Sequence, residues 1–438
     1  MRIAVIGSGV SGLVAAWLLS REHEVVLYES EDRLGGHAHT NEVDFGDGPI
    51  AVDTGFIVFN HRTYPLFRRV LQELGVPEKL SDMSFSASIP ARGVEYNGTS
   101  LNTLFAQRRN LFRPSFWRMV RGILRFYKEA RELLDPQAAE VALGEYLERN
   151  RYAREFVDDH LVPMAAAVWS TDRERMMEFP ARFLVRFFDH HGFMEVDNRP
   201  AWYTVDGGSR EYVAAIGRQL GNAVRLHDPV ASITRLPSPD GSDRSVRVLS
   251  AKGDELFDQV VLATHSDTAL RLIEEPTQPE REVLGALPYQ PNVAQLHSDT
   301  SVMPKKRKAW ASWNYHVGAD PKAPPTITYW MNLLQGIESL EPLFVTLNRQ
   351  DEIDPAKVHG QWSYDHPLFT AQTVAAQARR LEIQGVDRIW YAGAYWGYGF
   401  HEDGARSGVE VARGLGVPFA EDLPEREIDR LLTAEASA

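Results

Sequence analysis

Cysteine is absent from the 438 residues of this chain. Its absence excludes a disulfide framework, a thiolate metal site and a cofactor bonded to cysteine, and it is typical of proteins in a reducing compartment. No apolar run is long enough to cross a bilayer as a helix. The first strand-like run begins directly after Met1, which leaves no room for a signal peptide. We therefore predict a cytoplasmic protein.

Positive charge is also in short supply, with 47 Lys and Arg against 60 Asp and Glu and a formal net charge of −13. Such a surface repels phosphate backbones, so we predict no nucleic-acid partner. Aromatic residues are plentiful, with 20 Phe, 15 Tyr and 10 Trp. They suffice to line a large apolar pocket in addition to the core. The length suits two domains, each with its own core.

A glycine-rich turn lies between the apolar run 3–6 and a helix-like segment, 13–19. It contains Gly7, Gly9 and Gly12 in a G-x-G-x-x-G pattern. In a strand–turn–helix context the first glycine permits a tight turn, and the second allows the backbone to approach a pyrophosphate. The third allows helix and strand to pack closely. The pattern therefore predicts a dinucleotide-binding βαβ unit.

The residues around this turn complete the pattern. Val10 and Ser11 lie at the N-terminus of the predicted helix, where unpaired N–H groups and the helix dipole favour phosphate. A second apolar run, 25–28, ends at Glu29, whose carboxylate suits hydrogen bonds from ribose hydroxyls. We include all three residues in the predicted cofactor site.

The segment after Glu29 indicates which dinucleotide is bound. An arginine beside paired glycines, as at Arg33-Leu34-Gly35-Gly36, is the extension found in proteins that bind FAD through this fold. Nicotinamide dehydrogenases usually lack it. We therefore predict FAD as the cofactor. Its binding residues in this part of the chain are predicted to be Arg33, Gly35, Gly36, Asp53, Thr54 and Gly55.

The C-terminal part contains a second strand-and-turn pattern. A strand ending at Gly393 is followed by an aromatic loop and by residues 401–408, which we predict to form a turn before a helix that begins at Val409. The N–H groups of this turn would face the flavin and stabilise negative charge on its carbonyl oxygen; the alternative is a plain β–α turn. The predicted cofactor residues here and in the preceding strands are Val230, Ala263, Gly393, Asp403, Gly404, Ala405 and Ser407.

His401 and Glu402 lie in this presumed flavin turn and are our candidates for proton transfer, although each is also explained as a structural hydrogen-bonding residue. The histidine pairs 37/39 and 190/191 lack partners at metal-ligand spacing, so we predict no metal site. Six aromatic residues are predicted to wall an apolar substrate channel: Trp169, Trp313, Tyr315, Tyr395, Trp396 and Phe400.

A basic amphipathic helix is predicted near 114–134, with Phe116, Val120, Ile123 and Tyr127 on its apolar face. Residues 101–134 carry eight Lys and Arg against two Glu. Such a helix either lies on an anionic membrane or packs its apolar face on the core, and both interpretations stay open.

Taken together, these motifs resemble those of the flavin amine oxidase and carotenoid-desaturase-like flavoproteins over nearly the whole chain. The resemblance implies an α/β fold with a Rossmann-like FAD-binding domain of the glutathione-reductase type and an interleaved α+β substrate domain. The expected FAD-binding segments are 1–75, 205–285 and 376–420. The expected substrate segments are 76–204 and 286–375, followed by a C-terminal tail, 421–438.

Segments 164–171, 310–315 and 397–404 are similar to a bacterial subgroup often encoded beside cyclopropane-fatty-acid-synthase-like methyltransferases, which implies a fatty-acyl or phospholipid substrate. Two departures stand out. Many relatives place an acid on the ribityl chain where this chain has Ala394. The lysine that holds a water near the flavin in amine oxidases has no evident counterpart, since the 305–308 run is typical of a solvated loop.

Three hypotheses therefore stand. The first is a desaturase or dehydrogenase that removes hydride from a lipid acyl chain and docks on the inner face of the cell membrane through residues 101–134. The second is a flavin-dependent amine oxidase, and the third is an FAD-dependent fatty-acid isomerase without net redox change. The oligomeric state is left open.

Overall fold

The computed structural model describes residues 1–197, 199–236, 245–318, 320 and 323–419. A parallel sheet of five strands forms the centre of the first unit. Its apolar strands are buried on both faces, as parallel sheets require. All five strands lie within the segments expected for FAD binding. In spatial order they are Val224–Arg225, Glu24–Tyr28, Arg2–Ile6, Gln259–Leu262 and Ile389–Tyr391.

Different layers cover the two faces of this sheet. Helices Val10–Leu19, Arg210–Leu220 and His401–Gly414 pack on one face. The other face is covered by helices Ser266–Leu272 and Gln278–Gly285 and by a three-stranded antiparallel sheet. The strands of that sheet are Val230–Leu236, Ser245–Ser250 and Gly253–Phe257.

A seven-stranded mixed sheet forms the second unit. Its pairs are antiparallel except for the parallel pair of Trp313–His316 with Phe85–Ile89. All seven strands lie within the segments expected for the substrate domain. Their spatial order is Val358–Pro367, Tyr289–His297, Phe344–Leu347, Thr326–Trp330, Trp313–His316, Phe85–Ile89 and Val94–Asn97.

Smaller elements join the two units. Thr40–Asp44 pairs with Pro49–Asp53, and Trp202–Val205 pairs with both Phe59–Asn60 and Glu78–Ser81. The remaining α-helices of the described chain are Pro65–Leu74, Leu101–Leu104, Pro114–Glu129, Leu143–Arg149, Arg154–Phe156, Val162–Trp169, Arg173–Glu178, Ala181–His190, Met331–Leu334 and Ala371–Ala378. None of the described helices combines the length and apolarity needed to span a bilayer. The predicted tail, 421–438, lies outside the described residues.

The predicted amphipathic helix forms, but its apolar face is covered. The α-helix spans Pro114–Glu129 and continues as a 3-10 turn, Ala130–Leu134. Phe116 and Phe126 are buried in the core, and a Cβ added at Gly122 would lie 2.4 Å from the Cβ of Phe156. This face is therefore not available to a membrane.

The prediction of a turn over 401–408 is wrong, because the last helix already begins at His401. The carboxylate of Asp403 accepts the Phe400 N–H at 3.0 Å and so stabilises this start. A Cβ at Gly404 would lie 2.5 Å from Cγ1 of Val10, and one at Gly408 would lie 2.6 Å from the Ser11 oxygen. These glycines allow the last helix to pack closely on the first.

Candidate active site

A cavity of about 1530 Å³ lies between the two units. The carboxyl ends of the parallel strands open into it, with Gly7, Glu29, Ala263 and Gly393 among its lining residues. In open α/β sheets this edge is where ligands bind.

The glycine turn shows a separate physical demand at each glycine. Gly7 has φ +99°, and a Cβ there would lie 2.7 Å from the carbonyl oxygen of Ala263. A Cβ at Gly12 would lie 1.9 Å from the Gly7 oxygen, whereas one at Gly9 would meet no protein atom within 4 Å. Gly9 lines the cavity and precedes helix Val10–Leu19, which has no side-chain cap. The N–H groups at the start of this helix are therefore free to donate hydrogen bonds to the phosphate of a bound ligand.

Glu29 stands beside this turn. Its carboxylate accepts the N–H groups of Ser8 at 3.1 Å and Glu31 at 2.9 Å, together with the Ser8 and Ser30 hydroxyls. The side chain is thus oriented by the loops on either side, and it lines the cavity where a ribose is expected.

Arg33 stabilises the second glycine loop. It donates to the carbonyl oxygen of Gly36 at 3.0 Å and lies 3.2 Å from the carboxylate of Glu31. Gly36 has φ +56°, and a Cβ there would lie 3.1 Å from the Cα of Gly9. The loop carrying Gly35 and Gly36 is therefore held against the phosphate-facing turn.

Asp53 and Thr54 lie behind the cavity wall rather than in it. The buried Asp53 carboxylate accepts Ser209 N–H at 3.0 Å and the Gln335 amide at 3.0 Å, so it ties both units together. Burial raises its pKa to about 6. Thr54 hydrogen-bonds the Tyr364 hydroxyl at 2.8 Å. Of this group, Gly55 lines the cavity.

The C-terminal residues divide in the same way. Gly393 and Val230 line the cavity, whereas Asp403, Gly404, Ala405 and Ser407 do not. The Ser407 hydroxyl accepts Gly393 N–H at 2.9 Å, and this bond fixes the end of the last strand. These residues shape the site from behind.

Asp228 is a cavity residue that the sequence analysis missed. It is fully buried, and one carboxylate oxygen accepts Lys252 N–H at 3.0 Å while the other has no partner in the described chain. It lies near Glu29, which accepts Asp228 N–H through its backbone oxygen. A buried carboxylate with a free oxygen suits an exocyclic amino group such as that of adenine. In the sequence, the position of Asp228 directly before Pro229-Val230 could have indicated it, because Val230 was already predicted to bind the cofactor.

His401 lines the cavity, with its ring stacked on Phe56 at 3.5 Å between centroids. Its Nε2 hydrogen-bonds the Tyr212 hydroxyl at 2.9 Å. Burial lowers its pKa to about 3, so the imidazole is neutral at physiological pH.

The side chain of Glu402 points away from the cavity, toward helix Pro65–Leu74. Its two oxygens accept the N–H groups of Leu66 at 3.1 Å and Phe67 at 2.9 Å, at the start of helix Pro65–Leu74. Burial raises its pKa to about 7. Because both oxygens are occupied and the residue does not line the cavity, we assign Glu402 to capping this helix rather than to proton transfer.

Replacing Glu402 with glutamine is expected to change how stability depends on pH. The carboxyl of Glu402 binds its proton more tightly in the folded state than in the unfolded state. The wild type therefore loses stability as the pH rises from 4.5, the ordinary pKa of the group, through about 7, its pKa in the folded protein. Relative to the variant, the free energy of unfolding should fall by about 3 kcal/mol over this range. Urea unfolding of both proteins across this range measures it. Parallel stability curves would contradict the assignment.

Aromatic side chains wall the half of the cavity that faces the seven-stranded sheet, which we call the substrate half. The Trp169 ring lies 4.7 Å from that of Phe187, and its indole N–H donates to the backbone oxygen of Tyr398 at 3.3 Å. Tyr315 and Trp396 pack in separate core clusters and do not line the cavity. The lining residues that define the substrate half are Met83, Trp169, Phe187, His191, Phe193, Trp202, Trp313, Tyr329, Trp362, Phe369, Tyr398 and Phe400.

Five further histidines line the cavity: His37, His39, His191, His265 and His366. The sequence analysis considered the first three only as metal ligands and did not single out His265 or His366. Burial lowers the pKa of His366 to about 4 and that of His191 to about 3, and it also lowers those of His37 and His265. His191 Nδ1 donates to the Phe187 oxygen at 2.9 Å. No group of three acids or histidines with metal-binding geometry occurs among residues whose placement the structure describes.

The residues present fit FAD. An uncapped helix N-terminus beside an open glycine suits the pyrophosphate, Glu29 suits the ribose, and the partnerless oxygen of Asp228 suits the adenine amino group. The turn, the strand end at Gly393 and the aromatic wall all border one continuous cavity, so dinucleotide and substrate would share it.

Sequence comparison supports this fit. The family model described as flavin-containing amine oxidoreductase matches residues 10–342. A Mycobacterium tuberculosis protein that carries the name flavin-containing monoamine oxidase AofH is 30% identical over 245 residues, 53% of this chain and 51% of that protein. The chain thus spans about half the length of the curated relatives it matches.

Solved structures share the fold. Cyclohexylamine oxidase from Brevibacterium oxydans superposes with a TM-score of 0.68 at 16% identity, covering 94% of this chain and 98% of its own. The CLA-producing fatty acid isomerase of P. acnes has a TM-score of 0.66 at 15% identity with the same coverage. The predicted α/β fold, with a Rossmann-like FAD-binding unit and a separate substrate unit, is confirmed.

Proposed function

We propose that this chain, which belongs to the family of flavin-containing amine oxidoreductases and has FAD as its cofactor, oxidises the acyl chain of a lipid. The substrate would lose a hydride and a proton from neighbouring carbons, which leaves a carbon–carbon double bond. Bound FAD supplies the acceptor for the hydride. The protein's own residues bind the acyl chain, exclude water and accept the proton.

The composition of the substrate half supports a lipid. In the described lining, the carboxylates are Glu29, Glu31, Asp32 and Asp228 at the dinucleotide end and the exposed Asp365. An alkylammonium in the aromatic part would lose its hydration without gaining a counter-charge, which is unfavourable. An acyl chain would instead gain about 25 cal/mol per Å² of apolar surface removed from water.

Neutral imidazoles fit the same interpretation. Their burial lowers the pKa of His401 to about 3 and that of His366 to about 4, so neither brings a charge into the apolar cavity. We propose His401 as the proton acceptor because it lines the cavity and the Tyr212 hydroxyl orients its ring.

Two other functions each have an observation in their favour. Amine oxidation is favoured by the 30% identity with the M. tuberculosis protein over half of the chain. Isomerisation of a fatty acid, with no net electron transfer, is favoured by the likeness in fold to the P. acnes isomerase. Both keep the dinucleotide site and differ in what occupies the substrate half.

Anaerobic mixing separates these functions. The FAD-loaded protein is mixed with phosphatidylglycerol carrying monounsaturated or methylated acyl chains, and in parallel with cyclohexylamine and spermidine. We expect the lipids to bleach the visible absorbance of oxidised flavin and the amines to leave it unchanged. Bleaching of the flavin absorbance by the amines alone would contradict lipid oxidation and support amine oxidation instead.

A further inference from the structure

A basic loop and an exposed apolar segment, about 200 residues apart in sequence, lie side by side on the substrate domain. The buried Glu95 carboxylate accepts the backbone N–H groups of Lys305 and Lys306, each at 2.9 Å. The 3-10 turn Arg307–Ala309 packs against strand Val94–Asn97 and helix Leu101–Leu104. The loop is therefore fixed beside residue 101, with its four basic side chains exposed.

The apolar side chains next to this loop project outward. Phe112 is 87% exposed, Leu101 76%, Leu111 41% and Trp117 38%. The Trp117 indole N–H donates to the Leu111 oxygen at 2.9 Å, and its ring lies 5.5 Å from that of Phe105. These contacts hold Leu111 and Trp117 in place, whereas Phe112 and Leu101 stay mostly uncovered by the described chain.

The cations of this surface are not neutralised. Arg108, Arg109 and Arg113 donate to backbone oxygens, and Arg108 also donates to the Asn102 amide oxygen. None of the ion pairs between described residues includes these arginines or Lys305, Lys306 and Lys308. The sequence contains no acid between Glu95 and Glu129, and none from 300 to 319. The rest of the chain is strongly acidic, since the whole carries −13.

We propose that residues 101–117 together with 305–308, here called the docking patch, bind the surface of an anionic lipid bilayer. Phe112, Leu101 and Trp117 would insert at the headgroup level, while the surrounding Lys and Arg would pair with anionic headgroups. The acidic remainder of the molecule would be repelled from the same surface, which fixes the orientation. The contact thus differs from the predicted one, because the apolar face of helix Pro114–Glu129 is covered by protein.

The segment just before residue 101 of the docking patch contacts a strand of the cavity wall. Gly98 N–H donates to the Phe85 oxygen at 2.9 Å, and Phe85 pairs in the sheet with Trp313, a lining residue of the substrate half. Docking through this patch does not depend on which substrate the protein oxidises.

Vesicle flotation of the FAD-loaded full chain tests this proposal, using phosphatidylcholine vesicles with and without phosphatidylglycerol. The variant Lys305→Gln/Lys306→Gln/Lys308→Gln removes three charges without touching the backbone groups held by Glu95. Its affinity for anionic vesicles should fall on the order of a hundredfold. The matched control is Arg218→Gln/Arg281→Gln/Arg413→Gln, which removes three exposed cations from the FAD-binding unit and should bind like the wild type.

Phe112→Ser separates a bilayer from a generic polyanion. Its side chain is almost wholly exposed, so the fold should be unaffected, and binding to anionic vesicles should weaken about tenfold while retention on heparin stays unchanged. Equal vesicle binding by wild type and Phe112→Ser would overturn the proposal. So would equal loss in the lysine variant and its control, or failure of the wild type to bind anionic vesicles.

Discussion

Replacing Gly9 with alanine is expected to abolish FAD binding while leaving the protein folded. The Gly9 backbone has φ −63° and ψ 176°, a conformation that alanine adopts without strain. An added Cβ meets no protein atom within 4 Å and instead occupies the cavity where the backbone would approach the pyrophosphate. Flavin absorbance per protein, together with circular dichroism of the flavin-free forms, measures both effects.

Gly12→Ala is the matched control for this experiment. Its Cβ would lie 1.9 Å from the backbone oxygen of Gly7, so the helix and turn must separate and the flavin-free protein itself should be destabilised. Overpacking of this kind costs about 1–3 kcal/mol or more. A Gly9→Ala protein that retains full FAD would contradict the proposed placement of the cofactor. So would one that loses stability as Gly12→Ala does.

His401→Asn is expected to slow substrate-dependent flavin reduction on the order of a hundredfold, with FAD content unchanged. The imidazole lines the cavity and is neutral, since burial lowers its pKa to about 3. Asparagine keeps a polar group near the Tyr212 hydroxyl but cannot accept a proton. Rapid-mixing measurement of flavin bleaching under anaerobic conditions gives the rate directly.

The neighbouring residue provides the control. Glu402 caps helix Pro65–Leu74 from outside the cavity, so Glu402→Gln should alter stability and leave the reduction rate per bound flavin within about twofold of wild type. If Glu402→Gln slows reduction and His401→Asn does not, the proton acceptor has been assigned to the wrong one of the two residues.

Much of the FAD-binding unit could be predicted from sequence, because its signals are local. The turn from Gly7 to Gly12 needs a strand before it and a helix after it, and all of these lie within one short segment. The loop at Arg33 could be predicted for the same reason, because its arginine and paired glycines are adjacent in sequence. The domain boundaries and the binding roles of individual residues stay predictions.

The rest of the site depends on contacts between distant segments. Glu402 resembled a catalytic acid in sequence because its partner helix lies 336 residues away along the chain. In the sequence, Gly404 and Gly408 suggested a turn. In the structure they are small because the last helix packs closely on helix Val10–Leu19. Asp228 was missed although it directly precedes Pro229-Val230, because only the fold shows that it is buried with a partnerless carboxylate oxygen at the cavity.

The most direct test of the central claim is a single turnover without oxygen, in which acyl chains are analysed by mass spectrometry against flavin reduced. Oxidation of a lipid acyl chain predicts that one acyl chain loses two hydrogen atoms for each flavin that is bleached. Acyl chains of unchanged mass beside a reduced flavin would contradict the account. A shifted double bond with no flavin bleaching would replace it with isomerisation.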